Sequence, residues 1–392
     1  MISIDEAINA VLSNSNEILK EISLPVLESG NYTLFTNVYS PINMPPFRQS
    51  AMDGYALHLQ DGFSYSLIGE VKAGDGHQPE LNPGEAIRIF TGAAVPDSAN
   101  AVIMQEKVVV NQNIITVETK LSKEYNIRSV GEQVKKGELA LKKGTKLTPA
   151  AIGYLSSLGI TEISVYKKPS IAIITTGNEL VEPGEQLTYG KIFESNSKML
   201  HNALVNLGYS DISISKIDDN YDETYAQLDK LIEANDLVII TGGISVGDYD
   251  FVGKALHALN VKEIFYKVKQ KPGKPLFFGK KEETLIFALP GNPAAALSCF
   301  YMYVYLALNK LSGLNEERLP RLKAKSNTKF IKKGDRPQFL KAVYNNGFVD
   351  ILEGQSSAML QTFAIANALV QIPGDLYQIE INDEVDVLLL PF

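Results

Sequence analysis

The chain has no tryptophan, one cysteine and only four histidines among its 392 residues. A lone cysteine, Cys299, excludes an internal disulfide and a cysteine-based zinc site. The histidines, His58, His77, His201 and His257, lack metal-ligand spacing, which argues against zinc altogether. Positive charge is in deficit: 37 Lys and Arg stand against 45 Asp and Glu, for a net charge of −8. That balance argues against nucleic acid as a general partner, which requires a broad basic surface. Met1-Ile2-Ser3-Ile4-Asp5-Glu6 lacks the basic start and apolar core of a secretory signal. The apolar run around Ala294–Leu308 is too short and too rich in tyrosine to read as a membrane span. A soluble cytoplasmic protein without a membrane partner is expected. Neither a P-loop nor a G-x-G-x-x-G pattern occurs, so ordinary ATP and NAD sites fit poorly.

What is present is a globular composition, 45% hydrophobic and 21% charged, with length for about two to four domains. Ser3 and Glu6 form a capping box, and Ile4, Ala7, Ile8, Val11 and Leu12 one apolar stripe, predicting a helix from Ser3 to about Lys20. Leu24 to Phe47 is proline-rich and extended. Short strands separated by turns such as Asn82-Pro83-Gly84 then read as a β module over 50–138, inserted into a discontinuous first domain of 1–49 and 139–168. Thr148 and Pro149 start a helix that ends at Gly159. From 169 to 320, buried-strand runs alternate with helices, which predicts a doubly wound α/β domain. Ser195 or Asn196 is expected to cap one of those helices, running to Leu207. Residues 321–392 return to short strands, with a hairpin at Asn345-Asn346-Gly347, as a small C-terminal β domain. The fold class is thus multidomain α/β and β.

The stretch from Asp236 to Pro293 organises the α/β domain. Leu237-Val238-Ile239-Ile240-Thr241 is a buried strand that breaks at Gly242-Gly243. The polar loop Ile244-Ser245-Val246-Gly247-Asp248-Tyr249-Asp250 follows, then Lys271-Pro272-Gly273-Lys274-Pro275 and Pro290-Gly291-Asn292-Pro293. In parallel sheets ligands sit beyond the carboxyl ends of the strands, where these loops would meet. Gly242, Gly243, Gly247, Gly273 and Gly291 allow backbone N–H groups close approach. Asn292 as N-cap and Pro293 at the first helical position would present a helix end suited to an oxyanion. Lys267, Lys269, Lys271 and Lys274 add positive charge, and Asp248 and Asp250 are carboxylates of the kind Mg²⁺ takes beside phosphates. Taken singly, each feature reads more readily as a turn glycine or a solvated lysine. Together the three loops predict one anion-binding site.

These loops closely resemble the signatures of the MoeA family of molybdopterin molybdenumtransferases, related to the E domain of gephyrin and its plant counterpart. Ser50-Ala51-Met52-Asp53-Gly54-Tyr55-Ala56, Arg88-Ile89-Phe90-Thr91-Gly92-Ala93 and Gly354-Gln355-Ser356-Ser357 extend the resemblance along nearly the whole chain. It implies a reaction in which molybdate enters adenylylated molybdopterin, AMP leaves and molybdenum cofactor remains, with Mg²⁺ assisting. It also implies a C-terminal domain like a β-barrel, an α/β domain like that of the MogA family and an elongated homodimer. MogA-like and molybdoenzyme partners come with it.

By the same resemblance, Asp248 and Asp250 are the leading metal or phosphate-handling carboxylates, followed by Glu179 and Asp219. For Asp219 a turn role is an equal alternative. Asp53 and Thr91 join the site only if the β module of one subunit covers the α/β domain of another. Gly242, Gly243, Ser245, Gly247, Gly273, Pro290, Gly291, Asn292 and Pro293 would line the substrate site. Lys271, Lys274, Lys341 and Ser356 would hold molybdate or phosphate. The chain departs from the family pattern at Gln133, where a carboxylate is usual, at Ala295, where a serine is usual, and at Lys341, where an arginine is usual. Lysine there keeps the charge and loses the bidentate fork. Two other readings remain open, a MogA-like adenylyltransferase and a gephyrin-like scaffold.

Overall fold

Three runs of β-branched residues set the architecture. Ile171–Thr176 (β1) and Leu237–Thr241 (β3) are buried along their whole length, and Ile212–Ile217 (β2) forms an edge. Lys262–Lys267 (β4), Pro275–Lys281 (β5) and Thr284–Leu289 (β6) complete a six-stranded sheet in the order β2-β1-β3-β6-β5-β4. The first four strands of that order run parallel, with Ile171 opposite both Ile212 and Leu237, and Leu237 opposite Leu285. The β6–β5 and β5–β4 pairings are antiparallel, so β5 alone runs against the others and the sheet is mixed rather than wholly parallel. Only Glu282 and Glu283 separate β5 from β6, and so short a connection permits only a hairpin.

The computed structural model describes residues 1–243, 251–314 and 318–391. The sheet lies in the larger of two compact units, built from Met1–Ser23, Asn31–Phe35 and Ser164–Phe392. Alternation along the strands assigns side chains to two layers. Ile171, Ile173, Leu237, Ile239, Leu285 and Phe287 face one side, Ala172, Ile174, Val238, Ile240, Ile286 and Ala288 the other. The first side is covered by helices Ile4–Asn14 (α1), Asn196–Asn206 (α2) and, after two further helices, Pro293–Leu311. Those two, Tyr221–Ala234 (α3) and Phe251–Ala258 (α4), cover the second side. Pro293–Leu311 (α5) carries a π-helical turn at Phe300–Val304. It is long and apolar enough to cross a membrane, yet 89% of its most apolar window is buried inside the unit, as befits a core helix.

α1 keeps its capping box: the Glu6 amide donates to Ser3 Oγ at 3.2 Å and the Ser3 amide to Glu6 Oε2 at 2.7 Å. It stops at Asn14 rather than near Lys20, because Ser13, Asn14, Ser15 and Asn16 compete for the backbone. Its stripe Ile4, Ala7, Ile8 and Val11 enters the core beneath α5. Ile2 bridges the lysine strand, donating to the Lys267 carbonyl at 2.9 Å. Met1–Ser23 therefore packs in the same compact unit as the α/β sheet.

A closed barrel joins the same unit, formed by Arg321–Ser326, Phe348–Ile351, Gln338–Asn345, Ala368–Ile372 and Glu384–Leu389. Asn346 and Gly347 have φ of 47° and 85°, the primed turn expected of that dipeptide. Leu340, Val370 and Val387 fill the barrel, while their neighbours Phe339, Leu369 and Leu388 pack outward into the α5 core.

The smaller unit, Leu24–Gly30 and Thr36–Ile163, holds a second six-stranded sheet centred on Gly54–Leu57, Glu85–Ile89 and Ser64–Val71. The proline-rich segment is tied in by Val38–Tyr39 pairing with Leu139–Leu141. Thr148 caps the helix Pro149–Ser157, accepting from the Ala151 amide at 3.2 Å.

Phe287 is fully buried in β6 and stacks on Phe278 with centroids 4.5 Å apart. Phe287→Ala should lower the unfolding free energy by about 3–5 kcal/mol, read from the urea midpoint.

Candidate functional site

β1 and β3 are neighbours from which the chain departs in opposite directions, β2 lying beyond β1 and β6 beyond β3. Such a switch point leaves a crevice at the carboxyl ends of the strands. Here a cleft of about 1020 Å³ opens, its wall including Thr175 and Thr176 from β1, Thr241 from β3 and Pro290 after β6. Glu179 and Asp219 line it on one side, Lys267 and Lys274 on another. Gly242 and Gly243, and then Gly291, Asn292 and Pro293 at the start of α5, complete the group. Ser245, Gly247, Asp248 and Asp250 lie outside the described residues.

Several contacts hold these turns together. Asn196, the first residue of α2, donates from Nδ2 to Thr241 Oγ1 at 2.7 Å and to the Gly291 carbonyl at 2.8 Å. It thereby ties the turn after β6 to the end of β3. Ser195 holds the N-cap position of α2, as expected, but its side chain makes no cap bond; buried Glu194 instead accepts from the Ser197 amide at 2.8 Å and the Ser197 hydroxyl at 2.6 Å. Asp219 accepts from the Asn178 amide at 3.1 Å and Asn178 Oδ1 from the Asp219 amide at 3.2 Å, a reciprocal lock between the loops after β1 and β2. Asp219 thus serves a turn and still borders the cleft. Gly243 has φ of 66°, and a Cβ there would lie 2.5 Å from Thr176 Oγ1, so the turn must be glycine. Thr176 Oγ1 and Asn196 Oδ1 are buried polar atoms of this wall with no hydrogen-bond partner among the described residues.

The turn before β5 is braced from below. Lys271–Pro272 is a cis peptide, and a Cβ on Gly273 would lie 2.3 Å from Cys299 Sγ. Fully buried Gln270 donates to the Gly273 carbonyl at 3.2 Å and accepts from the Tyr303 hydroxyl. Burial pushes the Cys299 thiol up to about 12, which makes it a packing group rather than a nucleophile. This brace sets Lys274 toward the cleft. Lys269 instead pairs with Asp335 at 3.2 Å, and the backbone of Lys271 is stitched to Pro337 and Phe339 of the barrel segment. Asn292 occupies the N-cap position of α5, but its side chain does not cap the helix and donates to Ser357 Oγ at 2.9 Å.

Three family models cover the chain in series: "MoeA N-terminal region (domain I and II)" over residues 2–159, "Probable molybdopterin binding domain" over 172–310 and "MoeA C-terminal region (domain IV)" over 323–390. A Haemophilus influenzae protein named molybdopterin molybdenumtransferase is 37% identical over 82% of this chain and 80% of that relative. A Staphylococcus epidermidis protein of the same name is 30% identical over 99% of this chain and 95% of its own length. The crystal structure of the molybdopterin biosynthesis moeA protein from Pyrococcus horikoshii OT3 superposes with a TM-score of 0.85 at 31% identity, covering 100% of both chains. The chain belongs to the MoeA family.

The remaining MoeA motifs sit at two further places. In the smaller unit, Asp53 Oδ1 accepts from the Thr91 amide at 2.7 Å and from Thr91 Oγ1 at 2.8 Å. The paired strands Gly54–Leu57 and Glu85–Ile89 bring these two motifs into one turn. The hydrogen bond from the Thr91 amide, then that from its hydroxyl, lowers the Asp53 pKa from the ordinary 3.8. In the barrel, Lys341 is only 4% exposed, and Nζ donates to the carbonyls of Gly354 at 2.8 Å, Ser356 at 3.1 Å and Met359 at 3.0 Å. An ammonium has three hydrogens, so none is left for an oxyanion, contrary to its expected place among the substrate donors. Ser356 is exposed, its hydroxyl accepting from the Ala358 amide at 3.4 Å. The neighbouring Ser357, part of the same motif but not among the expected site residues, accepts the bond from Asn292. Only the doubled serine hinted at it.

Because the folded Asp53 pKa is lowered, its contribution to stability is complete above 3.8 and lost as pH falls through the lowered value. An NMR titration should find the Asp53 carboxyl below 3.8, and Thr91→Val should move it part of the way back, since the stronger amide bond remains.

Proposed function

We propose that this chain inserts molybdate into adenylylated molybdopterin, releasing AMP and leaving molybdenum cofactor. The observation that carries the reading is the single cleft joining Lys267 and Lys274, the Gly242-Gly243 turn, the start of α5, and the carboxylates Glu179 and Asp219. The substrates are a pyrophosphate-linked nucleotide and a tetrahedral oxyanion, both rich in acceptor oxygens. Lysines and a helix amino end attract such groups, and glycine turns admit them close to the backbone. The reaction cleaves the phosphoanhydride and needs no protein nucleophile, in keeping with a buried, protonated Cys299. That the relatives above are named molybdopterin molybdenumtransferase supports the same reading.

Lys267 and Lys274 are assigned to charge on the phosphates and on molybdate, which grows on the leaving oxygens as AMP departs. Among the described residues no cluster of three metal-ligating side chains occurs. Mg²⁺ nonetheless suits this wall, because it is bound by one or two carboxylates together with substrate phosphates, and Glu179 and Asp219 both border the cleft. When bound, it would offset charge on the bridging oxygen. The proposal includes a homodimer in the cytoplasm, fed by an enzyme that adenylylates molybdopterin and serving molybdoenzymes downstream.

Purified protein given adenylylated molybdopterin and molybdate should release AMP without consuming ATP. Lys274→Ala should slow that release by about 100-fold with an unchanged circular dichroism spectrum. Wild-type rates in the variant would overturn the assignment. Chelation with EDTA should slow the wild type, and added Mg²⁺ should restore it; AMP release indifferent to both would remove Mg²⁺ from the proposal.

A further inference from the structure

The loop Gly354–Met359 in the barrel is held by an exchange of side chains for backbone. Gln355 Oε1 accepts from the Lys341 amide at 2.9 Å, while Gln355 Nε2 donates to the Lys341 carbonyl at 2.8 Å and to that of Leu352 at 2.7 Å. In return the Lys341 ammonium gathers the carbonyls of Gly354, Ser356 and Met359. Beyond this clasp the loop meets α5: the Ser357 carbonyl accepts from the Ala295 amide at 3.2 Å, and Ser357 Oγ from Asn292. Asn292 and Ala358 line the cleft.

Resting on the molybdenum-insertion reading, we propose that Lys341 is a positioning residue. It binds no oxyanion itself; its buried ammonium holds the loop that sets Ser357 and Ala358 against the start of α5. The geometry suits lysine, since three tetrahedrally disposed hydrogens can converge on three carbonyls, whereas a guanidinium presents its donors in a plane. Among the described residues its surroundings are uncharged: Leu369 faces it across the strand pair, and Gln355, Ser356, Met359 and Thr362 lie in the loop or just after it. Glu353 is exposed and contributes a carbonyl, not its carboxylate, to the bond from Thr362. Desolvation alone lowers the Lys341 pKa from the ordinary 10.5.

The test follows AMP release by the full chain as a function of molybdate concentration. Lys341→Met should raise KM for molybdate about tenfold with a smaller change in kcat. Ser357→Ala should raise it less, and the double variant should be no worse than Lys341→Met alone, because both act through one loop. Hydrogen exchange at residues 354–359 should quicken in Lys341→Met. The wild-type KM should climb on an alkaline limb below 10.5 that the variant lacks. Gln355→Ala, which cuts the clasp from the loop side, gives the same KM and hydrogen-exchange readouts should the lysine variant fold poorly. Additive KM effects, or loss of molybdate affinity with unchanged exchange, would mean direct contact and overturn the proposal. Wild-type protein that releases no AMP would count against the functional reading alone, since the exchange measurement needs no substrate.

Discussion

Burial of β1, β3 and β6 on both faces is the constraint from which the rest follows. Side chains along β1 and β3 are apolar until the last positions, and β6 is apolar from Leu285 to Leu289, because a polar group in the middle of either layer would lose water without gaining a partner. Polarity begins at Thr175 and Thr176 in β1 and at Thr241 in β3, and register sets Thr175 directly opposite Thr241. The two strands thus change character at the same height. Everything chemical in the larger unit's cleft starts from that line: the glycine turn above β3, the Asn196 tie, and the exposed beginning of α5.

Features that depend on near neighbours in sequence were legible before the structure. The capping box of α1, the Asn346-Gly347 hairpin and the Thr148-Pro149 helix start are each closed by contacts a few residues apart. So was the meeting of the glycine loops at the sheet edge, since strand–helix alternation dictates it. What escaped notice depends on contacts across long stretches of chain. Nothing near Ile4 says that its stripe will pack under α5. Glu282 turns the β5–β6 hairpin at φ 53° with no glycine to announce it. The capping role of Glu194 was hidden by the serine and asparagine beside it, which look like better caps.

The lysines show why a count of charges is a poor guide to an electric field. Like Lys341, Lys332 is 4% exposed, and it donates to the carbonyls of Gly334 at 2.9 Å, Arg336 at 3.4 Å and Gly374 at 2.8 Å. Both ammonium groups work as clasps for barrel loops, and Lys269 is paired with a carboxylate. Lys267 and Lys274 are the two that border the cleft. The local positive character is therefore narrower than the sequence suggested, and it is placed by the braced turn before β5.

The docking of α1 beneath α5 has a consequence for biogenesis. Helix α1 finds its apolar seat only after β6 and α5, far along the chain, have been translated. Until then Ile4, Ile8 and Val11 have no native surface to cover them, so closure of the sheet's first layer waits for a segment far along the chain. Contacts of such sequence separation slow folding and leave the α1 stripe uncovered in the interval.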